Sequence, residues 1–271
     1  MRTPSFGAVW LFVLLAGGLP RQDLPSATAQ HGAFAFPDLS GTRLLAASTL
    51  PQPDMLHAAL CSDGRRFPVQ FERRQIERED NNGRQTAYNF DKLAGNVFTV
   101  LQGKIDEGAS CFLASAPLLS SATVLPAEPL ASSGECGPDV QSRIASARSR
   151  RVVNCWPIAR LPADRRLVLA EFARQDNDAL ASVVLIDGGR TIFADYQATF
   201  RGEGKDLWRV DDGGVLSPED FQLVFLLQRG NVYALGVSWA GTEGLSLAVF
   251  VASGDNRFTH VLKDYWYRAP V

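Results

Sequence analysis

Lysine is scarce in this chain. Of 27 basic residues only those at positions 92, 104, 205 and 263 are lysine, and the rest are arginine. With alanine abundant, that bias fits a high-GC bacterial gene. Histidine is scarcer still, with three residues and neither an H-x-H nor an H-E-x-x-H spacing, so no metal or cofactor is expected. The formal net charge of −2 offers no electrostatic case for nucleic acid or for an anionic membrane surface. No N-x-S/T sequon occurs. The one N-terminal apolar run, AVWLFVLLAGGL at 8–19, is shorter than the ~20 residues a spanning helix needs.

That short run is informative in another way. Arg2 precedes it, Pro20 closes it, and Ala27-Thr28-Ala29 places small residues where a signal peptidase reads. The pattern predicts a signal peptide over 1–29 with cleavage near Gln30. The mature product is expected in the periplasm or secreted, with no integral membrane span left. Four cysteines, Cys61, Cys111, Cys136 and Cys155, lack any C-x-x-C spacing, which argues against a zinc knuckle or a thioredoxin-like motif. In an oxidising compartment they are expected to form two bridges. Three pairings are possible. The sequential one, Cys61–Cys111 with Cys136–Cys155, closes the shorter loops and is favoured.

Composition divides the mature chain into a β-rich N-terminal region (30–114), a Ser/Ala/Pro-rich linker (115–135) and an antiparallel β domain (136–271). In TIFADYQATF, Ile192, Ala194, Tyr196, Ala198 and Phe200 share one side. The same parity links Phe221, Leu223, Phe225 and Leu227, then Tyr233, Leu235, Val237 and Trp239, then Leu245, Leu247, Val249 and Val251. A period of two means strands with one buried face. Gly188-Gly189, Arg229-Gly230-Asn231 and Gly241 to Gly244 read as hairpin turns. About seven such strands follow a short helix from Pro138 to about Arg150. The fold expected is therefore mainly β, an antiparallel meander forming a barrel or a sandwich, with one or two short helices. In the N-terminal region, Ser62 to Arg65 reads as a hairpin turn and Asp106-Glu107-Gly108 as a second turn between strands.

The most chemically suggestive stretch is DLWRVDDGGVLSPEDF, 206–221. Its acids do not fall at calcium-loop spacing, nor do those of EREDNNGRQT at 77–86. Ser217-Pro218-Glu219-Asp220 instead reads as a capped helical turn leading into a strand, with Asp211 to Gly214 as the turn before it. Gly236-Val237-Ser238-Trp239-Ala240, followed by Asp255 and His260, mimics the order of an α/β-hydrolase triad. Ser238, however, falls inside a strand rather than at a strand-to-helix elbow. His31 lies almost at the mature terminus, His57 stands alone, and His260 reads as structural beside Phe258 and Leu262.

Aromatic residues carry the better hint. Trp208, Trp239, Tyr265, Trp266 and Tyr267 are candidate ligand-binding residues, because flat rings on a sheet stack on sugars or anchor a protein interface. Tyr265 and Tyr267 should share one face of their strand and Trp266 the other. Arg143, Arg148, Arg150 and Arg151 read as a solvated helix face. The sequence thus points to a non-enzymatic binding or structural module of the cell envelope, with a glycan or an envelope protein as partner. The alternative is a secreted, glycan-directed hydrolase with paired carboxylates drawn from Glu171, Asp195, Asp211 and Glu243.

Overall fold

The computed structural model describes residues 32–130, 134–199, 216–241, 243–252 and 254–269. The expected signal peptide, Trp208 and Asp211 lie outside the described residues. What is described is mainly β, as expected, and is built in four layers.

The first layer is a closed six-stranded barrel, β1 (Gly32–Pro37), β2 (Arg43–Ala46), β3 (Leu56–Cys61), β4 (Arg66–Gln75), β5 (Gly95–Val100) and β6 (Cys111–Ser115), in the order β1-β2-β5-β4-β3-β6. A barrel this narrow has little room inside. Small residues such as Ala33, Ala35, Ala46 and Ala59 accordingly share the interior with Phe67, Phe98 and the Cys61–Cys111 bridge. The bulky alternates, Phe34, Phe36, Leu60 and Phe112, point outward. The Ser62–Arg65 turn does join β3 to β4, with Gly64 at φ +79°. A turn does form at Asp106-Glu107-Gly108, with Gly108 at φ +82°, but the strands it joins do not pair: β5 pairs with β2 and β4, whereas β6 pairs with β1 and β3. Closing the barrel requires that crossover.

Residues 115–130 are ordered rather than loose. Ser115 caps a short helix, Ala116–Ser121, by accepting from the Leu118 amide, and Leu118 is buried. Then β7 (Thr123–Val124) joins one C-terminal sheet and β8 (Glu128–Pro129) the other.

The second and third layers are two five-stranded antiparallel sheets. The middle sheet runs β16 (Thr259–Tyr267), β15 (Gly244–Ala252), β14 (Val232–Ala240), β13 (Phe221–Arg229) and β7. The outer sheet runs β12 (Arg190–Thr199), β11 (Asp178–Asp187), β10 (Arg166–Phe172), β9 (Val152–Arg160) and β8. Facing side chains, among them Leu169, Val183 and Ile192 against Leu235, Val237 and Phe250, form a sandwich core. The meander is a sandwich and not a second barrel.

One expectation is corrected here. The middle sheet has two buried faces, since Val249, Val251, Leu247 and Trp266 pack on the outside of the barrel against Phe34, Phe36 and Phe112. The parity of β13 also breaks. Leu223 pairs with Val237 but Phe225 pairs with Gly236, leaving Val224 as an extra residue. This bulge turns Phe225 and Leu227 toward the barrel while Phe221 and Leu223 face the sandwich. Gly236 is required beneath Phe225, whose ring would lie 2.2 Å from any added Cβ.

The fourth layer is the helix Pro138–Arg148, whose Val140 and Ile144 cover the outer sheet beside the Cys136–Cys155 bridge. Its arginines are not a solvated face. Arg143 donates to Thr191 Oγ1 and to the Arg190 carbonyl, Arg148 pairs with Asp195, and Arg150, just beyond the helix, holds the Ala173 carbonyl and Asp178. A helix lying on a sheet must find partners for its long cations there. Both bridges follow the sequential pairing and suit an oxidising, extracytoplasmic compartment. Among the described residues no helix is long and apolar enough to cross a membrane.

Candidate functional site: a ring-lined cleft at the sandwich edge

The β15–β16 hairpin carries its loop across to the outer sheet, where the Phe193 amide donates to the Asn256 carbonyl and the Phe258 amide to the Phe193 carbonyl. This latches the two sheets together at one point along β12. Farther along, the sheets part. There β14, β15 and β16 present an inner face that, among the described residues, the outer sheet meets through Tyr196 of β12, leaving a cleft of about 680 Å³.

The floor is aromatic. Trp239 stacks on Phe221 with centroids 5.1 Å apart and planes 13° from parallel. Tyr196 stands edge-on to both, at 5.3 Å from each. The wall is β16, where Val261 bulges out of register and His260, Lys263 and Tyr265 project inward opposite Phe250, Ala248 and Ser246. Tyr265 is 51% exposed. It is the ring most open to a ligand.

Three groups lining this cleft titrate away from their ordinary values. Burial pushes the Tyr196 phenol up. Burial against the Phe250 ring, 4.1 Å away, and then the nearby Lys263 ammonium, hold His260 down at about 4, although its other side stays exposed. Burial raises the Asp264 carboxyl, tempered by the Tyr265 amide that donates to it. The Trp266 indole N–H also approaches that carboxylate, without meeting hydrogen-bond geometry. Shifted groups gathered in a concave, partly aromatic cleft make it the candidate site. A larger cavity, about 760 Å³, lies between barrel and sandwich and is rimmed by Asp63, Asp106, Glu107 and Glu219. Two of those acids already share Arg65, and Phe221 is the single ring there. The smaller cleft is the better site.

Of the sequence candidates, Trp239 and Tyr265 meet in this cleft. Trp266 points the opposite way and is 1% exposed in the core, edge-on to Phe36 at 5.4 Å. Tyr267 lies at the end of β16, its backbone bonded to Gln85 on both sides. Tyr196, His260 and Lys263 were not among the ligand-binding candidates. The alternation of β12 places Tyr196 with Ile192 and Ala194, and Lys263 shares its parity with Tyr265, so a signal existed for both. Ser238 and His260 project from opposite faces of the middle sheet, which rules out the triad geometry. The described candidate carboxylates, Glu171, Asp195 and Glu243, do not converge either. Glu171 accepts from Asn154 at 2.7 Å, while Asp195 turns to the helix-covered face, where Ser182 and Arg148 hold it. Glu243 sits at the β14–β15 turn. Among the described residues no cluster suited to a metal ion is formed. Compared with protein-family models, with curated proteins and with solved structures, the chain matches none.

Proposed function

We propose that this protein is an exported, non-enzymatic binding module of the bacterial cell envelope, and that it holds a glycan in the ring-lined cleft. One observation carries the reading: Trp239, Tyr196 and Tyr265 converge on a single cleft of about 680 Å³, within the range of a small-ligand site. Rings fixed on strands lose little conformational entropy on binding, and a sugar offers them an apolar face bounded by hydroxyls. The two bridges and the N-terminal segment with its small-residue cleavage site support export.

The test is a glycan array probed with the mature protein and with Tyr265→Ala. Tyr265 is half exposed, so its loss should change stability by less than about 0.5 kcal/mol. Stacking of one ring carries about 1 kcal/mol or more, so binding should weaken by about fivefold or more in that variant. An array without saturable hits, or hits that Tyr265→Ala leaves unchanged, overturns the proposal.

A further inference from the structure

The cleft has a charge asymmetry that the rings alone do not explain. Lys263 projects inward between His260 and Tyr265, directly opposite Ala248, and no carboxylate among the described residues forms an ion pair with it. Its neighbour Asp264 also borders the cleft, but its side chain alternates toward the buried face that carries Trp266. Beside Lys263 stand the His260 imidazole and three hydroxyls. Tyr196, Ser246 and Tyr265 all line the cleft. An ammonium set among rings and hydroxyls is matched by a ligand with a ring, hydroxyls and one acidic group.

We infer that the saccharide held here is an acidic one, with a pyranose ring against Tyr265 and Trp239 and its carboxylate on Lys263. The inference rests on the cleft being the glycan site. A lysine offers a point charge on a flexible stem rather than the two-pronged grip of arginine. It therefore accepts a carboxylate over a range of ring positions, as a polymer presenting repeated uronic acids requires. A charge-assisted hydrogen bond contributes about 1.5 kcal/mol, close to tenfold in affinity.

The experiment is calorimetric titration of the mature protein with trigalacturonate and with its methyl ester, which keeps the sugar rings and removes the charges. The acid should bind the wild type about tenfold more tightly than the ester, and the gap should narrow as salt rises. In Lys263→Met, which retains the apolar stem, acid and ester should bind alike. In Tyr265→Ala both forms should weaken together. Equal binding of acid and ester to the wild type overturns the charge inference and leaves the glycan reading standing. Absence of binding by either form, together with an empty glycan array, overturns both. Tight acid binding that Lys263→Met does not weaken overturns the assignment to this lysine.

Discussion

In the barrel, six strands close on themselves and the interior is filled by alanines, larger aliphatics such as Leu44, Val69 and Leu113, two phenylalanines and a disulfide; in the sandwich, two sheets face each other but end in flank strands that do not meet. The difference is one of where space is left. Closure uses the inward positions for packing, and the barrel turns Phe34, Phe36 and Phe112 outward, where they pack against the middle sheet. The sandwich has no such requirement. Its sheets are latched at Phe193 and diverge beyond it, and the divergence is the cleft. Packing density is lowest where the chain has the option of leaving a face bare.

The sharpest way to break this comparison is at the seam between the two regions. Trp266 is fully buried between barrel and middle sheet, so Trp266→Ala should cost about 3–5 kcal/mol in urea unfolding. Unfolding should remain a single transition reported alike by all probes, because the seam is shared core. Two separated transitions in the wild type would show barrel and sandwich to be independent. An effect of similar size comes from each bridge. Losing Cys61–Cys111, 50 residues apart, should cost about 4 kcal/mol, and losing Cys136–Cys155, 19 apart, about 3 kcal/mol. Intact mass should rise by four hydrogens on full reduction of both bridges; an unchanged mass contradicts them.

The smallest effect belongs to the cleft. In the unfolded chain His260 takes its proton near pH 6.5, whereas in the fold it resists until about pH 4. Its contribution to stability is therefore complete above pH 6.5 and is lost as the pH falls toward 4. With one side of the ring exposed the loss should stay below about 1 kcal/mol. An NMR titration of the His260 ring checks it, and a midpoint at 6.5 would mean that water reaches both faces.

Much of the sandwich was legible because alternation is a local property. Tyr233, Leu235, Val237 and Trp239 hold one face over the whole of β14, as their spacing implies. What escaped is non-local. Nothing in FQLVFLLQ marks Val224 as the residue that leaves the ladder, since every neighbour is apolar and either register buries them. That the middle sheet is covered twice depends on the barrel, whose outward phenylalanines look in sequence like any other strand residues. The connection between β5 and β6 shows its turn at Asp106-Glu107-Gly108, but that the strands it joins do not pair is set by barrel closure and has no local signature. The site was half legible. Trp239 and Tyr265 could be nominated as rings on strands, but Tyr196 becomes a site residue only because the outer sheet stops covering its neighbour there. Lys263, one of few lysines and in phase with Tyr265, carried a signal that went unread.

The latch at Phe193 has a consequence for how copies of this protein coexist at high concentration. A flank strand with free amides and carbonyls is a template for strands from other molecules. On β12 the crossing loop occupies the Phe193 amide and carbonyl, and the Arg148 and Arg257 side chains reach Asp195 just beyond. On β16 the Val261 bulge and the adjacent Lys263 and Asp264 spoil the flat register that cross-molecule pairing needs. The edge along which the cleft opens is thus guarded against fibre growth by a hairpin tip on one side and by charge and a kink on the other.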